Sequence, residues 1–511
     1  MSAPFSVINA VAATGNKSRS HQVHLFQRGR QTKLTHAELD ARAADLAARL
    51  HGAGLRRGDR IAVLARNGPQ WVLLDLAAIK GGFVTAGFEF GRMKLTPAQL
   101  QDYGIRAIYA EPASEGAEVL DLRPLIAASL EAPLASLQPA PPAPDYQPSD
   151  TTTIKFTSGS TGQPKGLAAT VGSTDSSIDG VQTILDHRDG DNLLVFLPLS
   201  LLQQRYWIYS ALAHGHDVTV APFEFALEAA QKTHPTVVMG VPGFYESLKR
   251  QVEHLGPEAT EEARRAELRT LLGPRVRYMW TGSAPAHPDT LAFFDAAGFP
   301  LLEGYGMNET CIVTKNCPGA HRRGSVGRLL PGVKARIDAD GMLVVSREQP
   351  VNTRYLFCAP GDSERIFAPN GDVRTGDLAR FDEDGYLYIL GRADDVVVLS
   401  NGKNVYSRPI VERVKQHAGV ADCVLYGAGK PYIVALVSPN DDQDPPREAI
   451  AAHVKDINKQ LSADERIAKV IVVPQRFSIE NGLLTSQFKP KRNEIFRTYA
   501  REIDELYGVT A

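Results

Sequence analysis

The stretch that decides the fold is Thr157-Ser158-Gly159-Ser160-Thr161-Gly162-Gln163-Pro164-Lys165-Gly166. Its glycines let backbone N–H groups converge on an anion, its hydroxyl side chains add further donors, and Lys165 supplies a positive charge. The β-branched run 152–156 predicts a strand that presents this loop at the end of a sheet. The composition therefore predicts a phosphate-binding loop, with a flexible glycine- and serine-rich loop as the alternative.

The spacing differs from that of the ordinary P-loop, in which four residues separate two glycines and the lysine is followed by Ser or Thr. Here Gly159 and Gly162 are closer together, and Lys165 is followed by Gly166. The run instead resembles the phosphate loop of the adenylate-forming superfamily, which includes acyl-CoA synthetases, luciferases and peptide-synthetase adenylation domains. The resemblance implies that ATP phosphates are held by Thr157, Ser158, Gly159, Ser160, Thr161, Gly162 and Lys165, with Thr157 and Lys165 also catalytic.

Length and composition set further limits. A chain of 511 residues is too long for one hydrophobic core, so we expect at least two domains. The 56 lysines and arginines nearly balance 58 aspartates and glutamates, which favours neither nucleic acid nor an anionic membrane as a partner. Four cysteines without CxxC spacing favour a reducing compartment over a structural metal site. Without a signal-like start or a run of membrane-span length, the sequence predicts a cytoplasmic enzyme.

The order of strand and helix patterns predicts the large part of the fold. Up to about Ser325, apolar runs of strand length alternate with helical stretches such as Thr35 to Gly52, which indicates largely parallel, helix-covered sheets. The proline-rich run 139–144 predicts an extended connector to the phosphate loop. Asp-Gly turns at 340–341 and 384–385 predict short antiparallel strands in a barrel-like part.

A different pattern follows Gly391, where short strands and helices end in one predicted helix from Arg492 to Tyr507. About 120 residues are enough for a separate small domain of the α+β kind. The predicted fold class is therefore α/β, with a large N-terminal ATP- and acid-binding domain at residues 1–393. A small, mobile α+β catalytic domain is predicted at residues 394–511.

Two further motifs follow the phosphate loop in the order that the family uses. The run Thr281-Gly282-Ser283-Ala284-Pro285 resembles the segment that lies along the adenine, and a strand-ending turn is the alternative. The run Glu303-Gly304-Tyr305-Gly306-Met307-Asn308-Glu309-Thr310 resembles the segment beside it. The resemblance implies that the adenine is bordered by Gly282, Ser283, Ala284, Gly304, Tyr305 and Gly306, with the tyrosine ring available for stacking.

Two polar positions in the second run have their own implied roles. The resemblance makes Glu309 the carboxylate that holds Mg²⁺ beside the triphosphate, with a solvated loop carboxylate as the alternative. Asn308 stands where the family usually has Thr or Ser, a position that donates a hydrogen bond to the α-phosphate. An asparagine amide can also donate, so the resemblance still assigns Asn308 to the nucleotide.

The motifs Arg374-Thr375-Gly376-Asp377 and Gly391-Arg392-Ala393-Asp394-Asp395 complete the nucleotide site. A carboxylate can accept hydrogen bonds from both hydroxyls of a ribose, and the resemblance assigns this role to Asp377. The resemblance also makes Arg392 a catalytic residue that reaches the nucleotide and makes Asp394 the hinge between domains. By the same resemblance, the loop 401–405 is expected to face the thiol acceptor. A surface ion pair at a turn is the alternative for this region.

The segment from Glu480 to Arg492 resembles the part of the family that carries a catalytic lysine. A mobile ammonium group near the α-phosphate stabilises charge that develops in the transition state. The resemblance assigns this role, including nucleotide contact, to Lys489. The run Thr485-Ser486-Gln487 replaces the family's usual residues, Lys491 follows closely, and a basic helix start is the alternative.

The acid end of the site departs from the family in one more place. Acyl-CoA synthetases often carry a histidine where this chain has Leu201, after Leu197-Pro198-Leu199-Ser200. We therefore expect an unusual acid pocket, for which Arg205, Tyr206 and Trp207 are candidate lining residues. Core packing is the alternative for this aromatic helix face.

Together the motifs predict an enzyme of the acyl-CoA synthetase branch. With ATP and Mg²⁺ it would activate a small-molecule carboxylic acid, fatty or aryl, as acyl-AMP with release of pyrophosphate. The acyl group would then pass to a thiol, either CoA or the phosphopantetheine of an acyl carrier protein. The main alternative, suggested by Asn308, Leu201 and the 485–487 run, is a degenerate member that binds nucleotide or acyl-adenylate without adenylation. A conventional phosphotransferase is a distant third.

Overall fold

The computed structural model describes residues 5–15, 17–27, 30–91, 93–111, 119–157, 164–256, 258–484 and 490–508, with only the backbone described for Thr157 and Asp394. Within these ranges every helix is too short or too polar to cross a lipid bilayer. The chain forms two compact units. The large unit comprises Met1–Arg336, Val344–Thr375 and Phe381–Tyr388, and the small unit comprises Ile337–Leu343, Gly376–Arg380 and Ile389–Ala511.

The helices and strands alternate along most of the chain. The helices are α1 (Val7–Ala12), α2 (His36–Gly52), α3 (Pro69–Gly81), α4 (Pro97–Asp102), α5 (Arg123–Glu131), α6 (Val171–Leu185), α7 (Leu202–His214), α8 (Ala226–Thr233), α9 (Pro242–Glu253), α10 (Glu261–Leu272), α11 (Pro288–Ala296), α12 (Ser407–Val414), α13 (Arg447–Asn458), α14 (Arg492–Thr498) and α15 (Ala500–Leu506). Short 3₁₀ turns lie at Leu134–Ser136, Phe223–Phe225, Ala393–Asp395 and Ala463–Glu465.

The strands fall into five sheets. They are β1 (Gln22–Gln27), β2 (Arg30–Thr35), β3 (Arg60–Leu64), β4 (Val84–Gly87), β5 (Ile105–Ala110), β6 (Leu120–Asp121), β7 (Thr151–Thr157), β8 (Lys165–Thr170), β9 (Asn192–Val195), β10 (Asp217–Val220), β11 (Val237–Gly240), β12 (Tyr278–Thr281), β13 (Leu301–Met307), β14 (Cys311–Lys315), β15 (Arg328–Leu329), β16 (Val333–Ile337), β17 (Met342–Arg347), β18 (Val373–Phe381), β19 (Leu387–Arg392), β20 (Val396–Val398), β21 (Asn404–Tyr406), β22 (Val420–Tyr426), β23 (Ile433–Pro439) and β24 (Ile467–Val472).

Two sheets with mainly parallel pairing dominate the large unit. One has the strand order β15-β14-β13-β12-β11-β9-β10-β1-β2, and the other has the order β6-β5-β3-β4-β7-β8. The interior pairs of both sheets are parallel, and antiparallel pairs occur at their edges. Helices cover such sheets because the crossover between parallel strands needs a helix-length connection. The α/β class predicted from sequence is confirmed.

Local signals place several of these elements where the sequence predicts them. Thr35 caps α2 by accepting from the backbone N–H of Glu38, whose carboxylate accepts in return from the Thr35 N–H, so the predicted helix is confirmed. The run Pro139–Pro144 has neither helix nor strand, as its prolines require. Strands β7 and β8 form a hairpin in which Thr157 is opposite Lys165, so the predicted phosphate loop connects the ends of two paired strands.

A buried ionic network joins the two large sheets through α7. The Arg205 guanidinium donates to Asp75 Oδ1 at 2.9 Å, Thr85 Oγ1 at 2.9 Å and Thr153 Oγ1 at 2.7 Å, which come from α3, β4 and β7. Tyr209 donates to the other oxygen of Asp75 at 2.5 Å. The sequence hypothesis that Arg205 lines the acid pocket is therefore wrong, because its side chain is fully buried in this network.

The small unit has a core on each side of one sheet. Strands β22, β23 and β24 pair in that order, and helices α12 and α13 pack on one face through Ile410, Val414 and Ile450. Helices α14 and α15 belong to the second core, which contains Ile495 and Ile503. The single helix predicted from Arg492 to Tyr507 is wrong, since the backbone leaves the helical region at Tyr499 (φ −107°, ψ 25°).

A four-stranded sheet, in the order β16-β17-β18-β19, follows the parallel sheets along the chain. Its turns at Gly341 and Gly385 have φ near +80°, a conformation that glycine adopts at little cost. The predicted Asp-Gly turns therefore connect β16 to β17 and β18 to β19.

Candidate active site

The end of the phosphate loop carries a lysine that is already paired. Lys165 begins β8, and its ammonium lies 2.7 Å from Asp362 Oδ2 and 5.3 Å from the centroid of the Tyr355 ring. The Lys165 hydrogen bond, together with its charge and that of Arg365, holds the pKa of the Asp362 carboxyl below its ordinary value. Ser158, Gly159, Ser160, Thr161 and Gly162 lie outside the described residues, and Thr157 is described by its backbone at the end of β7.

The tight connection between β13 and β14 carries Asn308 and Glu309. Asn352 donates from its side-chain amide to the backbone carbonyls of both residues at 3.1 Å. Gly306 is needed here, since a Cβ atom at that position would lie 2.0 Å from the carbonyl oxygen of Cys311. The close approach of the two strands thus fixes the backbone that presents the predicted nucleotide and metal residues.

Tyr355 joins Glu309 to the phosphate loop. Its hydroxyl donates to Glu309 Oε1 at 2.5 Å while its ring lies beside the Lys165 ammonium. Burial and the Glu309 carboxylate both raise the pKa of Tyr355, so the phenol stays protonated and remains a donor. Sequence reasoning missed Tyr355, Asp362 and Asn352, whose segment carries no motif that was recognised.

A second lysine, Lys155 on β7, supports Asn308. Its ammonium donates to Asn308 Oδ1, and burial lowers its pKa to about 8, against the opposing effect of Glu309. Because an ammonium can only donate, the contact orients the asparagine with its carbonyl toward Lys155 and its N–H groups away. Lys155 was not singled out from sequence, although a lysine within a β-branched strand run was a usable signal.

The predicted adenine segment lies at the end of the neighbouring strand β12. Gly282 and Ser283 follow Thr281, and Ser283 has φ 70°. The Glu303 carboxylate accepts from the backbone N–H of Ala286 at 3.1 Å, and this bond ties the segment with Ala284 to the start of the Gly304-Tyr305-Gly306 run. The structure thus brings both predicted adenine segments to the same edge of one sheet.

A cavity opens beside these segments. Its wall includes Lys155, Leu201, Gln204, Trp280, Gly304 and Asn308. Leu201 is thus on the cavity wall, at the position where the family often has histidine. Tyr206 and Trp207 are fully buried and are not part of this wall, so the expectation that they line the pocket is also wrong.

In the small unit, Asp377 and Arg392 are close together. Arg392 Nη1, on the last residue of β19, lies 3.5 Å from Oδ1 of Asp377, which is in the middle of β18. Gly376 has φ +74°, and a Cβ atom there would lie 2.7 Å from Arg392 Nη2, so a larger residue would displace the guanidinium. The two side chains can together offer an acceptor and a donor to a polar ligand.

The remaining predicted residues have less structural description. Lys489 lies outside the described residues. The backbone of Asp394 is in a single 3₁₀ turn, Ala393–Asp395, which connects β19 to β20. The next residue, Asp395, pairs with Arg492 at 2.8 Å.

Comparisons with known proteins identify the family. Residues 11–350 match the AMP-binding enzyme family, and residues 394–511 match the AMP-binding enzyme C-terminal domain. The long-chain-fatty-acid–CoA ligase FadD15 of Mycobacterium bovis is 28% identical over 95% of this chain and 94% of its own length. Feruloyl-CoA synthase of an Amycolatopsis species is 28% identical over 78% of this chain and 82% of its own length. The structure of ATP-bound MatB from Rhodopseudomonas palustris, 26% identical, matches with a TM-score of 0.76 over 97% of this chain and 99% of that protein.

These matches confirm the resemblance that the ordered motifs indicate, and they give no support to a degenerate member. The chain belongs to the AMP-binding enzyme family, as an ATP-dependent ligase that activates a carboxylic acid as acyl-AMP before transfer to a thiol.

Proposed function

We propose that the triphosphate of ATP binds between the phosphate loop and the Asn308–Glu309 turn, with the acid in the adjoining cavity. The observation that carries this proposal is the position of Tyr355, which contacts Lys165 with its ring and Glu309 with its hydroxyl. The Lys165 ammonium and the Glu309 carboxylate both contact the phenol of Tyr355, so they are close enough to bind the same ligand. Phosphate oxygens would replace Asp362 as the partner of Lys165.

The residues fit a Mg²⁺ ion that is bound largely through the nucleotide. Mg²⁺ usually takes one or two protein carboxylates together with phosphate oxygens and waters. Glu309 is a buried carboxylate, and the described part of the chain has no cluster of three His, Cys, Asp or Glu side chains suited to a metal ion. When bound, the ion would neutralise charge on the phosphates.

The described polar residues then have separate roles in adenylation. Lys155 holds Asn308 with its N–H groups directed away from the lysine, so that the amide donates to an α-phosphate oxygen. Lys165, Thr157 and the remaining loop residues hold the other phosphates. A carboxylate oxygen of the acid attacks the α-phosphorus, and the bond from this phosphorus to the pyrophosphate oxygen breaks.

We assign the ribose and the domain movement to the C-terminal part of the chain. Asp377 accepts from the ribose hydroxyls, and Arg392 contacts the nucleotide. Residues 394–511 form a mobile catalytic domain with Asp394 as its hinge, and Lys489 contacts the α-phosphate during adenylation. In the second step the sulfur of the thiol attacks the acyl carbonyl, and AMP leaves.

The acceptor and the acid are inferred from the relatives. The two named ligases form CoA thioesters of a long-chain fatty acid and of ferulic acid, so CoA is the proposed acceptor here. A carrier protein would deliver the same phosphopantetheine thiol and is a second candidate. The four unpaired cysteines support a cytoplasmic location.

The direct test is acid-dependent and Mg²⁺-dependent exchange of labelled pyrophosphate into ATP, over a panel of aliphatic and aromatic acids. Exchange with at least one acid, followed by thioester formation when CoA is added, is the expected result. Nucleotide binding without exchange for any acid would contradict the proposal. Exchange without transfer to CoA, but with transfer to a carrier protein, would identify the other acceptor.

The lysine assignment can be tested by comparing Lys489→Ala with Lys491→Ala. Loss of Lys489 removes a charge interaction made mainly in the transition state, so adenylation is expected to fall roughly 100-fold or more. Thioester formation from synthetic acyl-AMP should persist in the Lys489 variant. Lys491→Ala is the matched control, with nearly parental rates expected in both assays. Loss of adenylation in the control instead would move the catalytic role to Lys491.

A further inference from the structure

Lys315, at the end of β14, is a buried cation without a hydrogen-bonding partner in the part of the chain that the structure describes. Its side chain is 2% exposed, and among the described residues its ammonium has neither a hydrogen-bond acceptor nor a carboxylate counter-ion. Burial lowers the pKa of Lys315 to about 7. A buried charge of this kind is costly unless something compensates it.

Two tryptophans surround the Lys315 ammonium. Its nitrogen lies 3.9 Å from the centroid of the Trp280 ring and 5.2 Å from that of Trp207. The two indole rings meet edge to face with centroids 6.1 Å apart. Aromatic faces attract a cation and favour its charged form. They offer no lone pairs, so the ammonium donors still need an acceptor.

The indole N–H groups of the two tryptophans are further donors near the ammonium. Nε1 of Trp207 and Nε1 of Trp280 are both buried and have no acceptor among the described residues. Within the described ranges, Gln204 Oε1 is a buried acceptor without a hydrogen bond, and His187 Nδ1 is likewise unpaired. The Lys315 ammonium and the two indole rings lie 3.9 to 6.1 Å apart, and donor groups gathered in this way favour a ligand group that only accepts hydrogen bonds, which is the property of a carboxylate.

This cluster adjoins the Trp280 end of the cavity proposed for the acid, with Lys315 and Trp207 behind the wall. Trp280, Gly304 and Gln204 all form part of the cavity wall. Lys315 is directly opposite Gly304 in the β13–β14 pairing, and a Cβ atom on Gly304 would lie 2.4 Å from Trp280 Nε1. The absence of a side chain at Gly304 therefore lets the indole of Trp280, a residue of the cavity wall, pack closely against β13, with the lysine charge against the same ring.

We propose that this end of the cavity binds a second carboxylate of the substrate, so that the preferred acid is a dicarboxylic acid. The inference rests on the proposed function of the cavity as the acid site. The reacting carboxylate lies toward Asn308 and the α-phosphate. The distal carboxylate accepts from Trp280 Nε1 and is balanced by the charge of Lys315. An unsubstituted fatty or aryl acid leaves these donors without an acceptor.

The first test uses the unmodified enzyme and pairs of acids matched in length, each an α,ω-dicarboxylic acid and the corresponding monocarboxylic acid. In pyrophosphate exchange, the best dicarboxylic acid is expected to exceed its partner in kcat/KM by roughly 30-fold or more, as for a desolvated charge pair. Exchange only with monocarboxylic acids, or equally with both, would overturn this inference and leave the proposed function intact. Exchange with no acid would instead contradict the proposed function.

The second test uses Lys315→Met, with Lys334→Met as the matched control because Lys334 is an exposed lysine of the same unit. The Lys315 variant is expected to raise KM for the dicarboxylic acid roughly 30-fold or more while its kcat/KM for the matched monocarboxylic acid stays within about threefold. The control should change neither value. Equal losses for both acids in the Lys315 variant would mean a structural role and would overturn the proposal.

A measurement without any variant covers the case in which Lys315→Met does not fold. The dicarboxylic acid should raise the midpoint of thermal unfolding of the unmodified protein more than the monocarboxylic acid does at equal concentration. Equal shifts, or a larger shift with a distally hydroxylated acid than with the dicarboxylic acid, would reject a carboxylate as the recognised group.

Discussion

Two buried cations near α7 differ in whether the protein supplies them with hydrogen-bond acceptors. Arg205 on the helix has three acceptors, from Asp75, Thr85 and Thr153, whereas Lys315, under the Trp207 ring of the same helix, has none among the described residues. Burial alone therefore does not distinguish a structural cation from a functional one. A charge whose partners all come from the protein contributes to folding, and a charge left with donors to spare is suited to a ligand.

Lys155 lies between these two cases. Among the residues that the structure describes it has one side-chain acceptor, Asn308 Oδ1, and it lies at the cavity wall rather than behind it. Its pKa, lowered to about 8, is also intermediate between the ordinary value for lysine and the value of about 7 for Lys315. This intermediate pairing agrees with a residue that positions another group in the site.

The largest effect on stability is expected for Arg205, the buried cation that has acceptors within the protein. Arg205→Met leaves the Asp75 carboxylate buried without its counter-ion, and the free energy of unfolding should fall by about 3–5 kcal/mol. Chemical denaturation measures this change. Arg188→Met, which removes an exposed arginine paired with Asp186, is the control and should cost less than about 0.5 kcal/mol. If Arg205→Met were as mild as the control, the distinction between paired and unpaired cations would fail.

A smaller effect of opposite sign is expected at Lys315. In the folded protein its pKa is about 7, against 10.5 ordinarily, so between these values the unfolded chain binds one more proton than the folded chain. Stability from this group therefore rises with pH from about 7 to 10.5 and is lowest below about 7. Lys315→Met removes the penalty, and the variant should be more stable than the parent by about 1 kcal/mol near pH 6.

Thermal unfolding of the parent and the Lys315 variant across pH measures this prediction. The gain should shrink as the pH rises, because the parent loses its buried charge. A variant that is less stable than the parent at low pH would show that the tryptophans compensate the charge fully, and that no ligand is needed.

The smallest effect is expected at Lys155. Lys155→Met leaves Asn308 without the contact that orients its amide, and adenylation should slow roughly tenfold, as for other residues that position a ligand-binding group. Because the parent loses the Lys155 charge as the pH rises through about 8, its rate of pyrophosphate exchange should fall there. The variant should lack that decline. An unchanged pH–rate profile in the variant would exclude this role for Lys155.

Whether a feature was predicted depends on how far apart along the chain its interacting residues lie. The phosphate loop, the capped helix α2 and the Asp-Gly turns were predicted because their signals are local, within a few residues of each other. Tyr355, Asp362 and Lys155 were not predicted as site residues. Their contacts depend on strands and loops that are distant in sequence.

Helix α7, which follows Leu201, shows most directly what the sequence pattern does not predict. Its residues Arg205, Tyr206 and Trp207 were candidates for the acid pocket, yet Arg205 belongs to the junction between sheets and Gln204 is on the cavity wall. Neighbouring residues on a helix point in directions about 100° apart, so the rotation of α7 against both sheets decides which side chain reaches the cavity.

The sequence by itself determined the family, the α/β class and the order of the nucleotide motifs, because these depend on short runs whose backbone chemistry is local. Only the tertiary structure decided which buried charges have partners. The pairing of β13 with β14 sets Lys315 opposite Gly304 and beside Trp280 and Trp207. Desolvation and hydrogen-bond satisfaction are properties of that packed environment, and the identity of a lysine in a sequence specifies neither.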